Sequence, residues 1–171
     1  MIGFHYCYKG SKSICGGHDA IQTLGGYRKD RISGKVLWYD NILFPEINNV
    51  DFIYSPPMLN YWTVDITSMK IGDEPQALNK THGAGAMFDH ASYGRGAPLS
   101  VDAYERLITL SGAKPITLEE PPNNGNQSTY AVDCSKRESL PILKYQFEGH
   151  SKEWEIVPSN YVEELGNGTC V

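Results

Sequence analysis

Only one stretch of this chain repeats its apolar residues at the spacing of a helix. Val101, Tyr104, Leu107, Ile108 and Leu110 fall three or four residues apart along one face. Ser100 stands before them as an N-cap and Gly112 after them as a stop. Elsewhere the apolar residues alternate over short runs cut by Gly or Pro. A chain of 171 residues with one helix near residues 100 to 111 must build most of its core from strands. Eleven Tyr, 17 Gly and 10 Pro suit that outcome, since Tyr fits half-buried strands and Gly with Pro supplies turns. The expected fold class is all-β with one main helix, and the length favours a single domain.

The strand signals run the length of the chain. Ile2, Phe4, Tyr6 and Tyr8 alternate with Gly3, His5 and Cys7, and Ile14-Cys15 returns after a Lys9 to Ser13 turn. Gly16-Gly17-His18-Asp19 forms a turn, and Gly34 to Tyr39 is a second strand. Val50 to Tyr54 follows, closed by Ser55-Pro56-Pro57. Tyr61 to Ile71 is the clearest strand, with Trp62, Val64 and Ile66 on one face and Thr63, Asp65 and Thr67 on the other. Gly83 to Asp89 is a short apolar strand ending in an acid. Pro115 to Ser128 is a polar loop; Thr129 to Val132, Leu143 to Phe147 and Trp154 to Val157 are strands. Pro158 to Glu163 allows one helical turn. Trp38, Trp62 and Trp154 line the core or a groove, with the core favoured.

Several function classes drop out. Lys and Arg number 15 against 20 Asp and Glu, a net charge of −5, with no polybasic run. Phosphate affinity needs clustered cations, so neither nucleic acid nor an anionic membrane surface is an expected partner. No apolar run approaches the roughly 18 residues that cross a bilayer. The five histidines, His5, His18, His82, His90 and His150, share no ligand spacing, so no metal site is expected, and no cofactor. Gly83 and Gly85 lack the rest of a dinucleotide fingerprint. Ala91-Ser92-Tyr93-Gly94 lacks the first Gly of a nucleophile elbow, which argues against a serine hydrolase.

Cysteines stand at 7, 15, 134 and 170, an even number without C-x-x-C spacing. Cys7 and Cys15 would face each other across the expected N-terminal hairpin, close enough for a bridge. Sequons occur at Asn79, Asn126 and Asn167. Together with the cysteines they point to the secretory pathway or an endomembrane lumen. The start, Met1-Ile2-Gly3-Phe4-His5, lacks a signal peptide's charged and apolar regions, so the chain is expected to be a fragment of a larger product.

The order of these elements resembles the C-terminal lobe of the pepsin-like aspartic peptidases over nearly the whole chain. Gly16-Gly17-His18-Asp19 is similar to the family's GG-x-D turn, and Gly34 to Trp38 to its following strand. Tyr61-Trp62-Thr63-Val64-Asp65-Ile66 resembles its aromatic-Trp strand, with Gly72 in the next turn. Ala86-Met87-Phe88-Asp89-His90-Ala91-Ser92 stands where the family carries its second catalytic motif, apolar-apolar-D-T-G-S/T. Cys134, Leu140-Pro141, Phe147-Glu148-Gly149, Pro158, Tyr161 and Cys170 follow the family's closing disulfide loop. The resemblance implies one lobe of the double-psi barrel fold across residues 1 to 171, a Cys134–Cys170 bridge, and Asp89 as one half of a catalytic pair with Ser92 hydrogen-bonded to it.

The departures carry equal weight. In this family each of two lobes gives one Asp, and the pair holds a water and shares a proton. This sequence contains no D-T-G, and it stops before the family's apolar-apolar-Gly strand. His90 stands for the Thr whose hydroxyl braces the two catalytic loops, and Ala91 for the Gly that brings its N–H near the carboxylate. Asp89 then reads as a relic acid hydrogen-bonded in its loop. Two functions compete: a peptidase lobe, inactive as this chain, that would pair with an N-terminal lobe and take a peptide or protein substrate; and a secreted pseudopeptidase that binds peptides or proteins. A retroviral-type homodimer would need its own D-T-G.

Overall fold

A computed structural model of the chain describes residues 2–7, 13, 16–18, 20–42, 62–78, 84–88, 97–119, 126–165 and 168–171. The chain divides into two compact units, Met1–Trp38 and Tyr39–Val171. The described elements are mostly strands around one main helix, the all-β architecture expected of a pepsin-like lobe.

In the first unit, β1 (Ile2–Tyr6) pairs antiparallel with β2 (Ala20–Leu24), from Ile2 opposite Leu24 to Tyr6 opposite Ala20. The partner expected from sequence was Ile14-Cys15. Those two residues lie outside the described residues. Gly16 and Gly17 take positive φ, 63° and 91°, in the turn expected there. Cys7 is buried and disulfide-bonded; Cys15, its expected partner, lies outside the described residues. No strand forms over Gly34 to Tyr39, and Trp38 is 63% exposed with its ring edge-on to Tyr27.

The second unit is organised by β3 (Thr63–Ile71). Its first residues pair with β5 (Gly85–Met87) and its later ones with β8 (Leu143–Phe147). Beyond β8 lies β9 (Glu153–Ile156), and Ile71 turns back into β4 (Glu74–Pro75). Gly72, at φ 61°, takes the first place of the two-residue loop, where a side chain would be strained. Strict alternation along β3 would place Ser68 and Lys70 in the core beside Ile66. The ladder shifts instead: Ile66 faces Phe147 and Ser68 faces Gln146, so Thr67 is an extra residue on β3. Thr67 Oγ1 donates to the Gln146 carbonyl at 3.1 Å, and the strand changes phase. Met69 and Ile71 thereby join Ile66 in one buried cluster with Leu143 and Tyr145.

The helix α1 (Val101–Ser111) closes this core with Ala103 and Leu107, one turn apart. Ser100 Oγ accepts from the Ala103 N–H at 3.2 Å, and Gly112 ends the helix in the left-handed conformation. Val101, counted on the apolar face by spacing, is 73% exposed. After α1 the chain forms a hairpin, β6 (Lys114–Glu119) with β7 (Asn126–Ala131), where sequence gave a polar loop. Cys134 and Cys170 are bridged with Cα atoms 5.2 Å apart, as the resemblance implies. Cys170 also pairs with Val132 and packs with Leu140 and Val162 in a second small cluster. The short helix α2 (Pro158–Tyr161) sits where one helical turn was expected. The Tyr145 hydroxyl donates to the Pro98 carbonyl and the Tyr161 hydroxyl to the Pro141 carbonyl, at 3.1 and 2.6 Å. Burial raises both phenols, Tyr161 to about 12, so both remain protonated donors at neutral pH.

Two expectations follow. Leu143 is fully buried at the centre of the larger cluster. Leu143→Ala should cost about 2–5 kcal/mol and lower the thermal midpoint, measured by chemical and thermal unfolding. Three exposed ion pairs tie neighbouring elements: Lys70–Glu153, Lys144–Asp73 and Arg106–Glu74. The hydrogen-bonded cation beside each carboxyl holds it below its ordinary range. A depressed native pKa stabilises the fold above the unfolded-state pKa, and that contribution is lost as pH falls through the native value. The thermal midpoint should therefore fall from about pH 5 to about pH 3, and fall less in the triple variant Asp73→Asn, Glu74→Gln, Glu153→Gln. The difference should be small, because all three pairs are solvated.

Candidate functional site

Residues Asp89, His90, Ala91 and Ser92 lie outside the described residues, as do Asn79 and Asn167; Asn126 is the first residue of β7. The structure describes the frame that leads into Asp89. Phe88, the preceding residue, donates its N–H to the Trp62 carbonyl at 2.8 Å, extending the β3–β5 pairing by one step. The Ile66 N–H donates to the Ala84 carbonyl at 2.7 Å at the other end of β5. The approach to Asp89 is thus a strand held against the start of β3.

The start of β3 is itself clamped. Thr63 is fully buried, yet each of its polar groups is satisfied. Its N–H donates to Asn41 Oδ1 at 2.7 Å, and its Oγ1 donates to the Ile42 carbonyl at 2.5 Å. The Ile42 N–H donates back to the Thr63 carbonyl at 3.0 Å. Asn41 and Ile42 are therefore hydrogen-bonded to the first residue of β3. Nothing in the sequence singled out Asn41. The only available signal was a polar residue two places after Tyr39, which does not identify a partner 22 residues away.

Tyr39, Asn41, Trp62, Thr63, Val64 and Phe88 line an open hollow of about 270 Å³. Trp62 and Phe88 are 48% and 52% exposed, so both rings present a face to solvent. The other wall is fixed by aromatic contacts. Tyr39 lies edge-on to Phe147 and His150, with ring centres 5.7 and 4.8 Å apart, and its hydroxyl accepts from Trp154 Nε1 at 2.8 Å. Phe88 meets Phe147 at 6.2 Å. None of the lining side chains is charged, which suits a neutral, partly apolar group. A second, larger cavity of about 620 Å³ lies between α1, β8, β9 and α2.

No family model matches the chain. Three curated fungal proteins align with essentially all of it. An aspartic protease-like protein, pynH, of Aspergillus niger is 51% identical over 176 residues, covering 99% of this chain and 42% of the relative. An aspartic protease-like protein, pytH, of Aspergillus terreus is 45% identical over 191 residues, covering all of this chain and 45% of the relative. A "Probable secreted aspartic protease" of Arthroderma benhamiae is 43% identical over 185 residues, covering all of this chain and 44% of the relative. The chain spans less than half the length of these relatives. With its strand-dominated fold, its bridged Cys134 and Cys170 and this similarity along its entire length, the chain belongs to the pepsin-like aspartic peptidase family, of which it represents a lobe-sized part.

Proposed function

We propose that this chain is a pepsin-like aspartic peptidase homologue that does not hydrolyse peptides. The observation that carries the reading is the sequence Asp89-His90-Ala91-Ser92, where the family has D-T-G-S/T. Aspartic peptidase chemistry needs one ionised and one protonated carboxyl about a shared water, their pKa values split by mutual repulsion. This chain offers Asp89 to such a pair; the second Asp would have to come from the rest of the protein or from a partner. In either assembly His90 takes the place of the small hydroxyl that braces the two loops. An imidazole is larger and needs a different partner when buried. A displacement of about 1 Å at reacting atoms costs on the order of 100-fold in rate.

The half-exposed Phe88 and Trp62 beside the hollow support a second reading, a pseudopeptidase that binds peptides or proteins without cleaving them. Relatives named as secreted and as vacuolar aspartic proteases support placing the protein outside the cell or in an endomembrane lumen. In that compartment Asn79, Asn126 and Asn167 would be glycosylation acceptors.

The test is cleavage of a broad-specificity fluorogenic peptide at acid pH by the full-length protein, with and without a pepstatin-type inhibitor. We expect no inhibitor-sensitive turnover in the wild type. Turnover that is blocked by the inhibitor and abolished by Asp89→Asn would overturn the reading. The double variant His90→Thr, Ala91→Gly should gain activity if these two positions are the whole defect.

A further inference from the structure

Two places in the sequence set two cations side by side, Arg28-Lys29 and Lys136-Arg137. They differ in what holds them. Arg28 is tied to the Asp30 carboxylate by two hydrogen bonds, of 3.1 and 2.6 Å. Lys136 is exposed, and among the described residues the Arg137 side chain bonds only to the adjacent Glu138, at 3.1 Å, in a pair that is itself solvated. This second pair of cations lies in a short 3-10 helix, Cys134–Ser139, none of whose residues is buried. Among the described residues its backbone bonds stay local. The Lys136 N–H donates to the Asp133 carbonyl at 2.9 Å, and the Leu140 N–H to the Arg137 carbonyl at 3.2 Å. The flanks, by contrast, are fixed. Cys134 is bridged to Cys170, and Leu140 packs with Val162 and that same Cys170.

We propose that the Arg137–Glu138 peptide bond is a processing site for a basic-pair-specific serine endoprotease, and that the cut protein stays joined through Cys134–Cys170. Water adds across the bond, leaving a carboxylate on Arg137 and an ammonium group on Glu138. Such an enzyme takes adjacent cations into acidic pockets and reads its substrate as an extended strand. The short helix must therefore unwind. Among the described residues this breaks its own backbone bonds and none to another element. Unwinding is thus a local opening, because Cys134 and Leu140 on either side stay anchored on Cys170. Cys134 lies before the cut and Cys170 after it, so the bridge spans the cut. The product is two chains with one covalent link between them. The cut makes no demand on Asp89 or its motif, and the secretory placement proposed above would bring the chain to such enzymes.

The experiment incubates native full-length protein with a purified basic-pair-specific endoprotease of the subtilisin type at neutral pH. Products are separated with and without reductant, and new N-termini are sequenced. We expect one band of full size without reductant, two with it, and a new N-terminus beginning Glu138-Ser139-Leu140. Lys136→Gln should slow this cut about 100-fold or more, because a pocket built for a cation is left unfilled. Trypsin, which reads a single cation, should still cut that variant after Arg137. Leu143→Ala separates local from global opening. A cut that needs global unfolding should speed up about 30-fold or more in this variant, and a local one should change little. Urea below the unfolding transition makes the same comparison in the wild type. A native protein left intact at Arg137, under conditions that cut a free peptide of the same sequence, would overturn the site. Acceleration in step with global destabilisation would overturn the local opening. Fragments that separate without reductant would overturn the covalent link.

Discussion

One extra residue in one strand determines which side chains make the core. Thr67 is unopposed in the β3–β8 ladder, and its hydroxyl holds the bulge to the Gln146 carbonyl. Before it, Ile66 faces inward; after it, Met69 and Ile71 do. Had the pleat continued unbroken, Met69 and Ile71 would lie on the face opposite Ile66. The buried cluster under α1 requires all three on one side. The bulge also divides the labour of β3. Its later half pairs with β8, and its earlier half carries β5 and the hollow.

The two halves of β3 meet different neighbours. The core joins Leu143, Tyr145, Ala103 and Leu107 to Met69 and Ile71 of the far half of β3, and to Ile66 and Ala86 beside its near half. The approach to Asp89 depends on the near half, through Trp62, Thr63 and the Asn41–Ile42 segment. His90 and Ala91 follow the end of β5 in the sequence. A binding role that uses the near half of β3 makes no demand on the altered motif.

Much of the fold was legible because local signals agreed with one another. α1 carried its cap, its spacing and its stop in consecutive residues, and Leu143–Phe147 has the bounds its alternation indicates. The misses share a cause, which is information held by a distant partner. Nothing in Thr67 itself announces a bulge. Lys114–Glu119 contains a Pro and two charged residues and becomes a strand by pairing with Asn126–Ala131. Ala20–Leu24 becomes a strand by pairing with Ile2–Tyr6. Asp89 and Ser92 could be singled out only through the resemblance, and Asn41 only through its contact with a buried Thr63.

The segment before Asp89 is a strand locked to the near half of β3. Amide hydrogen exchange in the native protein reads this directly, because an amide bonded within a stable ladder exchanges only when that ladder opens. The N–H groups of Phe88, Ile66 and Ile42, bonded to Trp62, Ala84 and Thr63, should be protected to a degree comparable with the amides of β8. Exchange of Phe88 and Ile42 at the rate of free loop residues, with β8 still protected, would contradict the account.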